Sequence, residues 1–279
     1  MSSIDSPSRE DRSDISVTIV TICKDAGETL AKTINSVLTQ TYNNIEYLII
    51  DSASGPETQA VLETCRNKVN SIVSEPDRGI SHAFNKGIKR ATGQVIGLLN
   101  AGDIYLPETV NQAFEALNNS DADFCYGDCV LVESEDYRFV MKGEANYLGR
   151  IRYRMPVFNH PTVFVKKEIY EKFGGFDEQW KTAMDYELLR RFVARGAKGV
   201  YLPQVMAEMD RHGISITGNR RTILEVRDIS IQYGYPCWKA WGYYLFGLFK
   251  EYIGQPIRRN FPAGLTRFYR RHFIKNYSD

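Results

Sequence analysis

Hydrophobic and polar residues alternate along the first hundred residues in a pattern that predicts strands and helices in turn. Short apolar or β-branched runs are typical of buried strands. Such runs cover Ile15–Cys23, Ile45–Ile50, Val69–Val73 and Val95–Leu99. Between them, apolar residues at helical spacing predict amphipathic helices. These helices cover Gly27–Gln40, Pro56–Arg66 and Gly79–Ala91. Strict alternation predicts an α/β fold, with a mostly parallel central sheet and helices on both faces.

The second half of the chain loses this alternation. We predict a strand over Asp123–Glu133, with which Tyr137–Lys142 pairs. The other expected elements are a basic loop at Ala145–Pro156, a short strand at Thr162–Val165, helices at Lys167–Phe173 and Ala183–Arg195, and a strand pair at Val200–Leu202 and Val205–Met209. This order indicates an α/β core completed by a mixed sheet, and it argues against an eight-fold barrel.

Polar residues follow the carboxyl ends of the strands predicted in the first half. They are Thr21, Asp25, Asp51, Asp77 and Asp103. Ligands of parallel sheets bind outside these strand ends, so an aspartate at four consecutive ends indicates a binding site. Any one of these aspartates could instead be a helix N-cap.

Composition narrows the classes of function. The 279 residues are 43% hydrophobic and 25% charged, with a net charge of +1. These values are typical of a globular protein and exclude the basic field that nucleic-acid binding requires. The five cysteines are an odd number, and no further pair of Cys or His completes a zinc site near Cys125 and Cys129. We therefore expect buried free thiols and a cytoplasmic, reducing compartment.

The two ends of the chain differ from its middle. Met1–Asp14 is polar, which predicts a disordered lead-in without a secretory signal, and no run of 18 apolar residues predicts a transmembrane helix. Trp238–Ile253 is apolar almost all round, and basic and aromatic residues follow it up to Tyr277. This extension suits a helix at an anionic membrane surface. The alternative is a helix packed on the core or across a homodimer.

Three acidic residues suit transfer from a nucleotide diphosphate. Asp51 can accept hydrogen bonds from a base or ribose. Asp103, on a turn, can hold a divalent cation through oxygen ligands, as Mg²⁺ or Mn²⁺ prefers. Asp185, with Glu187 two residues on, can serve as a general base.

Six segments in a fixed order carry a resemblance to a known family. They are Val17–Thr21, Asn44–Asp51, Ser74–Ile80, Ala83–Gly87, Gly93–Asp103 and Met184–Leu188. With them the chain resembles the family-2 glycosyltransferases over roughly Ser16–Ser215, and within the family it is most similar to bacterial enzymes that build surface polysaccharides. The resemblance implies a GT-A fold and an inverting sugar transfer from a nucleotide-sugar, with UDP as the carrier, to a saccharide or polyprenyl-linked saccharide at the inner membrane face.

The resemblance also implies roles for individual residues. The nucleoside is held by Thr21, Asp25 and Asp51, and the segment bordering the base and phosphates contributes Asp77, Arg78, Asn85 and Lys86. Asp103 matches the last carboxylate of the metal-binding Asp-x-Asp motif, and Asp185 matches the catalytic base. His212 matches a loop that closes over the diphosphate and can lend a metal ligand; a plain loop histidine is the alternative. For Asn85 the alternative is a solvated polar residue.

Two positions depart from the pattern of the family. Asn100 replaces the first carboxylate of the metal motif, so the remaining Asp103 would position a Mg²⁺ or Mn²⁺ already bound to the donor phosphates. Met184 stands where many relatives have an acidic residue, and a thioether orients a hydroxyl poorly. We therefore expect Asp185 to act alone.

The implied domain is residues 15–217, with a nucleotide-binding half at 15–103, an acceptor half at 104–217 and a helical extension at 218–279. Other nucleotide-using classes lack their motifs here. A dehydrogenase needs Gly-x-Gly-x-x-Gly and a P-loop enzyme needs Gly-x-x-x-x-Gly-Lys-Ser/Thr, and neither occurs. A nucleotidyltransferase needs a basic, Gly-rich loop after the first strand, where only Lys24 is present. A catalytically silent nucleotide-sugar-binding subunit is the remaining rival, and Asn100 is its best support.

Overall fold

Four parallel strands, joined by helices, form the first half of the fold. The computed structural model describes residues 17–134, 137–210, 220–260 and 277–278. The strands are β1 (Val17–Cys23), β2 (Ile45–Asp51), β3 (Ser71–Ser74) and β4 (Val95–Asn100), and the helices between them are α1 (Gly27–Leu38), α2 (Pro56–Cys65) and α3 (Ile80–Arg90). The strand order is β3-β2-β1-β4, and every neighbouring pair is parallel. The predicted α/β alternation is confirmed.

A mixed sheet continues from β4 in the second half. Its strands are β5 (Ile104–Tyr105), β6 (Phe124–Ser134), β7 (Tyr137–Met141), β8 (Phe164–Lys166), β9 (Gly199–Asp210) and β10 (Tyr277–Ser278). The helices of this half are α4 (Thr109–Asn118), α5 (Tyr147–Arg150), α6 (Lys167–Phe173), α7 (Met184–Ala194), α8 (Arg220–Gln232) and α9 (Cys237–Asn260). β8 is antiparallel to β4 and β6, while β9 is parallel to β6. The predicted pairing of β6 with β7 is confirmed.

One prediction for this half is wrong. The expected strand pair after Gly199 is the single continuous strand β9. Gly127 of β6 pairs with Leu202, and the next residue, Asp128, pairs with Val205. The two residues between, which include Pro203, are taken up as an irregularity, because proline cannot donate a ladder hydrogen bond.

Two further boundaries differ from the prediction. The basic loop Ala145–Pro156 contains the short helix α5. The strand expected at Thr162–Val165 begins only at Phe164, because His160–Thr162 forms a 3-10 turn in front of it. This turn becomes important at the functional site.

The two faces of the sheet carry separate hydrophobic clusters. Successive residues of a strand face opposite sides, so Val20 packs with Phe84 of α3, while Ile19 packs with Leu30 of α1 on the other face. A Cβ atom on Gly87 would lie only 2.2 Å from Cγ1 of Val20. Glycine at this position therefore lets α3 lie directly on β1.

Helix α8 packs on α7, and α9 packs on α8. The hydroxyls of Tyr186 in α7 and Ser230 in α8 lie 3.0 Å apart, and Ile229 of α8 is fully buried. In α9, Tyr244 is buried, and the guanidinium of Arg227 in α8 lies 4.2 Å from the ring centre of Trp241. Within the described ranges, no helix has the length and apolar character needed to cross a bilayer.

The cysteines are free thiols, as predicted. Cys237 is exposed, and the other four, Cys23, Cys65, Cys125 and Cys129, are buried. Burial raises the pKa of Cys125 to about 12, so this thiol stays protonated and unreactive. The predicted lead-in Met1–Asp14 lies outside the described residues.

Candidate functional site

The carboxyl ends of β2 and β3 carry a hydrogen-bonded cluster centred on Asp51. Asp51 is fully buried, and its carboxylate accepts hydrogen bonds from Ser74 Oγ at 2.6 Å, from Gln59 Nε2 at 2.7 Å and from the hydroxyl of Ser54. Burial raises the pKa of Asp51, but the hydrogen bonds from Ser54, Ser74 and Gln59 outweigh it, and the pKa lies below its ordinary value. Asp51 is therefore an ionised carboxylate that holds the turns around it.

Two further aspartates join the neighbouring loops into one surface. Asp25 accepts a hydrogen bond from the backbone N–H of Gly55 at 2.9 Å, and its own N–H donates to Ser54 Oγ at 2.8 Å. The carboxylate of Asp77 binds the hydroxyl of Ser52. Asp25 has a φ of 47°, a left-handed conformation that non-glycine residues adopt mainly at turns and functional sites. The loops after β1, β2 and β3 thus form one polar edge.

Thr21 lies beneath this edge. Its side chain is fully buried, and its hydroxyl is 3.0 Å from the hydroxyl of Tyr47. The side chain is therefore not exposed to a ligand at the strand end, and the backbone of Thr21 is paired with β2 and β4.

The two basic residues of the same region both have acidic partners. Lys86 donates to the carbonyl of Pro76 at 2.9 Å and lies 3.1 Å from the carboxylate of Glu75. Arg78 is largely exposed and forms an ion pair with Glu178 at 2.9 Å. Both cations lie beside the loop after β3, where they can face a diphosphate.

The side-chain amide of Asn85 makes structural hydrogen bonds. Its Nδ2 donates to the carbonyl of Phe176, and its Oδ1 accepts from the N–H of the same residue, both at 2.8 Å. The alternative of a solvated polar residue is wrong, since both ends of the amide are used on this one backbone. Asn85 ties α3 to the loop that leads into α7.

The turn after β4 carries Asn100 and Asp103. Asn100 Nδ2 donates to Asp103 Oδ2 at 3.1 Å, and Asp103 is only 5% exposed. Thr33 of α1 donates to the carbonyl of Asp103 at 2.9 Å and accepts from the N–H of Gly102 at the same distance. The turn is held rigidly, with Gly102 at a φ of 107°.

This turn offers oxygen ligands for a divalent cation. One carboxylate and one amide suit Mg²⁺ or Mn²⁺ when substrate phosphates supply the other ligands. Among the described residues, no three His, Cys, Asp or Glu side chains cluster as a metal site. The donor set thus fits a cation that arrives with a diphosphate. The other predicted ligand, His212, lies outside the described residues.

Asp185 lies in the first turn of α7, and the sequence analysis missed its neighbour. His160 Nδ1, from the 3-10 turn before β8, is 3.4 Å from Asp185 Oδ1. The structure thus gives Asp185 a charged neighbour, and the expectation that it acts alone stays a prediction. A histidine directly before Pro161 and a short apolar run was the available signal, but no spacing rule links it to α7. Met184 is buried, with the hydroxyl of Ser81 3.0 Å from its sulfur.

Glu187 has no free carboxylate oxygen for catalysis. It forms a buried ion pair with Arg191 at 2.9 Å and accepts from the hydroxyl of Tyr233 at 2.7 Å. Arg191 in turn donates to the carbonyls of Phe173, Gly174 and Gly175. The pair fixes the start of the loop that leads into α7.

The end of that loop is held from α8. The carboxylate of Glu225 accepts hydrogen bonds from the backbone N–H groups of Lys181, Thr182 and Ala183, directly before α7. Glu225 was also missed by the sequence analysis, because it lies about forty residues away in the chain. The position of Asp185 therefore depends on α3, α7 and α8 together.

Known proteins are similar to this chain in sequence and in fold. The sequence model of the family described as Glycosyl transferase family 2 matches residues 18–184. An uncharacterized glycosyltransferase of Mycobacterium tuberculosis is 30% identical over 211 residues, which are 71% of this chain and 76% of that protein. The Escherichia coli UDP-Glc:alpha-D-GlcNAc-diphosphoundecaprenol beta-1,3-glucosyltransferase WfgD is 28% identical over 137 residues, which are 48% of this chain and 54% of WfgD.

Two solved structures share the fold at low sequence identity. Residues 1–349 of Staphylococcus aureus TarS, in complex with UDP-GlcNAc, align with a TM-score of 0.63 at 14% identity over 84% of this chain and 72% of that one. The match covers 39% of a longer TarS chain. The mannosyltransferase PcManGT from Pyrobaculum calidifontis, in complex with GDP-Man and Mn²⁺, aligns with a TM-score of 0.60 at 16% identity over 90% and 77% of the two chains. The architecture is therefore a GT-A fold.

Proposed function

The chain belongs to glycosyl transferase family 2, and from this membership we propose that it moves a sugar from a nucleotide-diphosphate donor, a UDP-sugar, onto an acceptor hydroxyl with inversion. The observation that carries the proposal is the position of Asp185. Asp185 lies in the first turn of α7. The loop directly before this helix is held by Asn85, Arg191 and Glu225. A base held by several elements is preorganised for its reaction.

The proposed reaction is a single displacement at the anomeric carbon. The acceptor oxygen forms a bond to that carbon while the bond to the diphosphate oxygen breaks, and the nucleoside diphosphate leaves with the electron pair. Asp185 takes the proton of the acceptor hydroxyl. Attack from the face opposite the diphosphate inverts the anomeric configuration.

The donor would lie along the polar edge formed by the loops after β1, β2 and β3. In this proposal Asp51 and Asp25 shape the surface for the nucleoside, and Asp77, Arg78 and Lys86 border the phosphates. The carrier UDP is supported by the TarS complex with UDP-GlcNAc. The proposal assigns the donor surface to the first half of the chain.

A divalent cation, Mg²⁺ or Mn²⁺, would be held by Asp103 together with the donor phosphates, beside Asn100. Bound there, it would stabilise the charge that develops on the leaving diphosphate. The Mn²⁺ in the PcManGT complex supports a cation in a protein of this fold. His212 remains a predicted further ligand.

The acceptor would be a saccharide linked to a polyprenyl diphosphate in polysaccharide biosynthesis. The name of WfgD, which acts on a diphosphoundecaprenol-linked sugar, supports this class of acceptor. Such an acceptor lies at a membrane surface, where its lipid is inserted.

An exposed apolar surface is present on α9. Large apolar side chains at helical spacing are exposed along one side of it: Trp238 at 74%, Leu245 at 59% and Phe249 at 62%. The last turn of α9 contains Arg258 and Arg259, and further basic residues follow the helix in the sequence. Aromatics beside cations suit the interface of an anionic bilayer, so we propose that α9 docks the enzyme at the inner membrane face. Salt-sensitive binding to anionic vesicles tests this part of the proposal.

Donor screening tests the proposed activity. Thermal shift with UDP-, GDP- and dTDP-sugars, with and without Mn²⁺, should select UDP-sugars. The selected donor is then incubated with a lipid-linked saccharide, and NMR should find an inverted anomeric centre in the product. A retained configuration contradicts the single displacement. Donor binding with neither hydrolysis nor transfer would favour the catalytically silent subunit, which Asn100 supports.

A further inference from the structure

His160 and Asp185 form a mostly buried pair of side chains. Nδ1 of His160 and Oδ1 of Asp185 are 3.4 Å apart, and the two side chains are 16% and 23% exposed. The distance is that of an ion pair, without the alignment of a hydrogen bond, since Oδ1 has no hydrogen-bond donor in the structure. The pair joins the turn before β8 to the first turn of α7.

Both residues have a buried polar atom without a hydrogen-bond partner, and both line the same small cavity. His160 Nε2 and Asp185 Oδ1 are buried without hydrogen-bond partners. They line a small cavity of about 20 Å³ whose other walls are mostly apolar, including Leu98, Phe158 and Tyr170. A cavity of this size holds a single water. Buried polar atoms without partners are rare in folded proteins and need an explanation, which a role at a reacting group provides.

The charged surroundings of His160 come from several elements. Asp185 faces it from α7 and Asp103 acts on it from the turn after β4, while Tyr170 of α6 lines the same cavity. The ring of Phe84 in α3 lies 5.3 Å from the imidazole. Burial lowers the pKa of His160, but the carboxylates of Asp185 and Asp103 outweigh it and raise the pKa above its ordinary value. The imidazolium is thus favoured between two carboxylates.

The turn that carries His160 is itself rigidly held. Asn159 donates to the carbonyl of Gly127 at 2.8 Å and to that of Met141 at 2.9 Å. Thr162 accepts from the N–H of Gly127 at 3.0 Å. The residues on both sides of His160 are therefore fixed to β6 and β7, so the imidazole has a defined position relative to α7.

We propose that His160 is a positioning residue for this reaction: its ring atom Nδ1, 3.4 Å from Oδ1 of Asp185, holds that carboxylate in the orientation that receives the proton of the acceptor hydroxyl. The inference rests on the proposed function, in which Asp185 is the base. His160 itself touches neither sugar nor leaving group in this scheme. It acts through Asp185, and the rate should depend on its protonated form.

Two substitutions separate positioning from simple packing. His160→Leu removes both the donor and the charge, while His160→Asn keeps an N–H donor near the position of Nδ1 but cannot be titrated. We expect His160→Leu to lower kcat by about 10²-fold with little change in the KM of the donor. We expect His160→Asn to recover part of kcat. In the wild type, kcat should fall at alkaline pH as His160 loses its proton, and this fall should be absent from His160→Asn.

A spectroscopic readout makes the test independent of turnover. The imidazole of His160 is followed by NMR during a pH titration of the wild type and of Asp185→Asn. The pKa of His160 should drop in Asp185→Asn, because one of its two carboxylate partners is neutral there. If His160→Leu does not fold, the pH profile of His160→Asn and this titration decide the question.

The outcomes distinguish this inference from the proposed function. If Asp185→Asn is inactive while His160→Leu keeps kcat within about twofold of the wild type, the role of His160 is wrong and the base assignment stands. The same holds if His160→Asn keeps the alkaline fall or if the titration of His160 is unchanged in Asp185→Asn. Wild-type turnover of Asp185→Asn would overturn the proposed function itself.

Discussion

The carboxylate of Glu225 in α8 receives two hydrogen bonds from Thr182, one from the backbone N–H at 2.8 Å and one from the hydroxyl at 2.9 Å. The same oxygen accepts from the N–H of Ala183 at 2.9 Å, directly before α7. The N–H groups at the start of a helix have no intrahelical partner and favour a negative charge. A helix outside the sheet thus caps the helix that carries Asp185.

Removal of this cap should affect both stability and turnover. Glu225→Ala leaves several N–H groups unpaired, so we expect the free energy of unfolding to fall by about 2–3 kcal/mol. Turnover should fall as well, because Asp185 lies in the first turn of α7, directly after these N–H groups. Chemical denaturation and kinetics of the same samples measure the two effects. Glu63→Ala, in an exposed ion pair, is the matched control and should change neither; an equal loss in both variants would remove the special role of Glu225.

The contribution of Glu225 should depend on pH. Burial raises the pKa of Glu225, but hydrogen bonds from Thr182, Ala183 and Arg221 outweigh it, and the pKa in the folded state is lower than its ordinary value. A lowered pKa stabilises the fold above the ordinary value and loses that effect as the pH falls. The stability difference between the wild type and Glu225→Gln should therefore shrink below about pH 4. A difference that grows on acidification would contradict the assignment.

Asp185→Asn should abolish transfer while it preserves donor binding. Loss of a general base typically costs about 10²–10⁴-fold in rate, and asparagine keeps the size of the side chain. The Kd of the UDP-sugar, measured by calorimetry, should stay within about threefold of the wild type, because the proposed donor surface lies on the first half of the chain. Turnover near the wild-type value would show that another group removes the proton.

Two kinds of change test the metal prediction: one removes the cation, and the other strengthens its binding. Chelation by EDTA and the substitution Asp103→Asn should each lower activity by about 10²–10³-fold, since the proposed cation would stabilise the leaving group. Asn100→Asp restores the first carboxylate of the motif and should strengthen Mn²⁺ binding to the donor-free protein by about tenfold. Asp128→Asn, also a buried carboxylate of the sheet, is the control. Full activity in excess EDTA would show that Arg78 or Lys86, and not a cation, stabilises the charge on the leaving diphosphate.

The membrane prediction concerns the exposed side of α9. Replacement of Trp238, Leu245 and Phe249 by serine should abolish cosedimentation with vesicles that contain phosphatidylglycerol, and high salt should release the wild type. Each Lys or Arg near such a surface contributes about 1 kcal/mol, so vesicles of phosphatidylcholine alone should bind weakly. Leu148→Ser, which removes an exposed apolar residue from α5, should bind normally. A dimer that the triple variant disrupts, without any vesicle binding by the wild type, would assign this side of α9 to a second copy.

Asn85→Ala separates the two roles given to this residue. Because both ends of the amide bind the backbone of Phe176, we expect a loss of about 1–3 kcal/mol in stability. The Kd of the donor should change by less than about threefold, since no amide atom is left for it. Lys86→Ala, at the next position in the sequence, is the comparison variant and should weaken donor binding. Tenfold weaker binding in Asn85→Ala at unchanged stability would support the donor contact that the resemblance implies.

The sequence by itself determined the α/β order of the first half. Buried strands and amphipathic helices are local patterns, so β1 to β4 and α1 to α3 follow from runs of a few residues. The aspartates at the strand ends were found for the same reason, since parallel strands bring their carboxyl ends to one edge. The second half was predicted less well. Two strands were expected at Val200–Leu202 and Val205–Met209, but pairing with the long strand β6 keeps β9 continuous.

Only the tertiary structure decided which side chains meet at Asp185. His160 lies 25 residues before it in the sequence, within a short turn, and Glu225 lies on a separate helix after β9. Neither has a periodic or motif signal that points to α7. Such contacts are made by packing between elements distant in the chain, and the local sequence carries no information about the angle at which two helices meet. The sequence and its family resemblance thus pointed to Asp185 as the proposed base, while packing selected its partners.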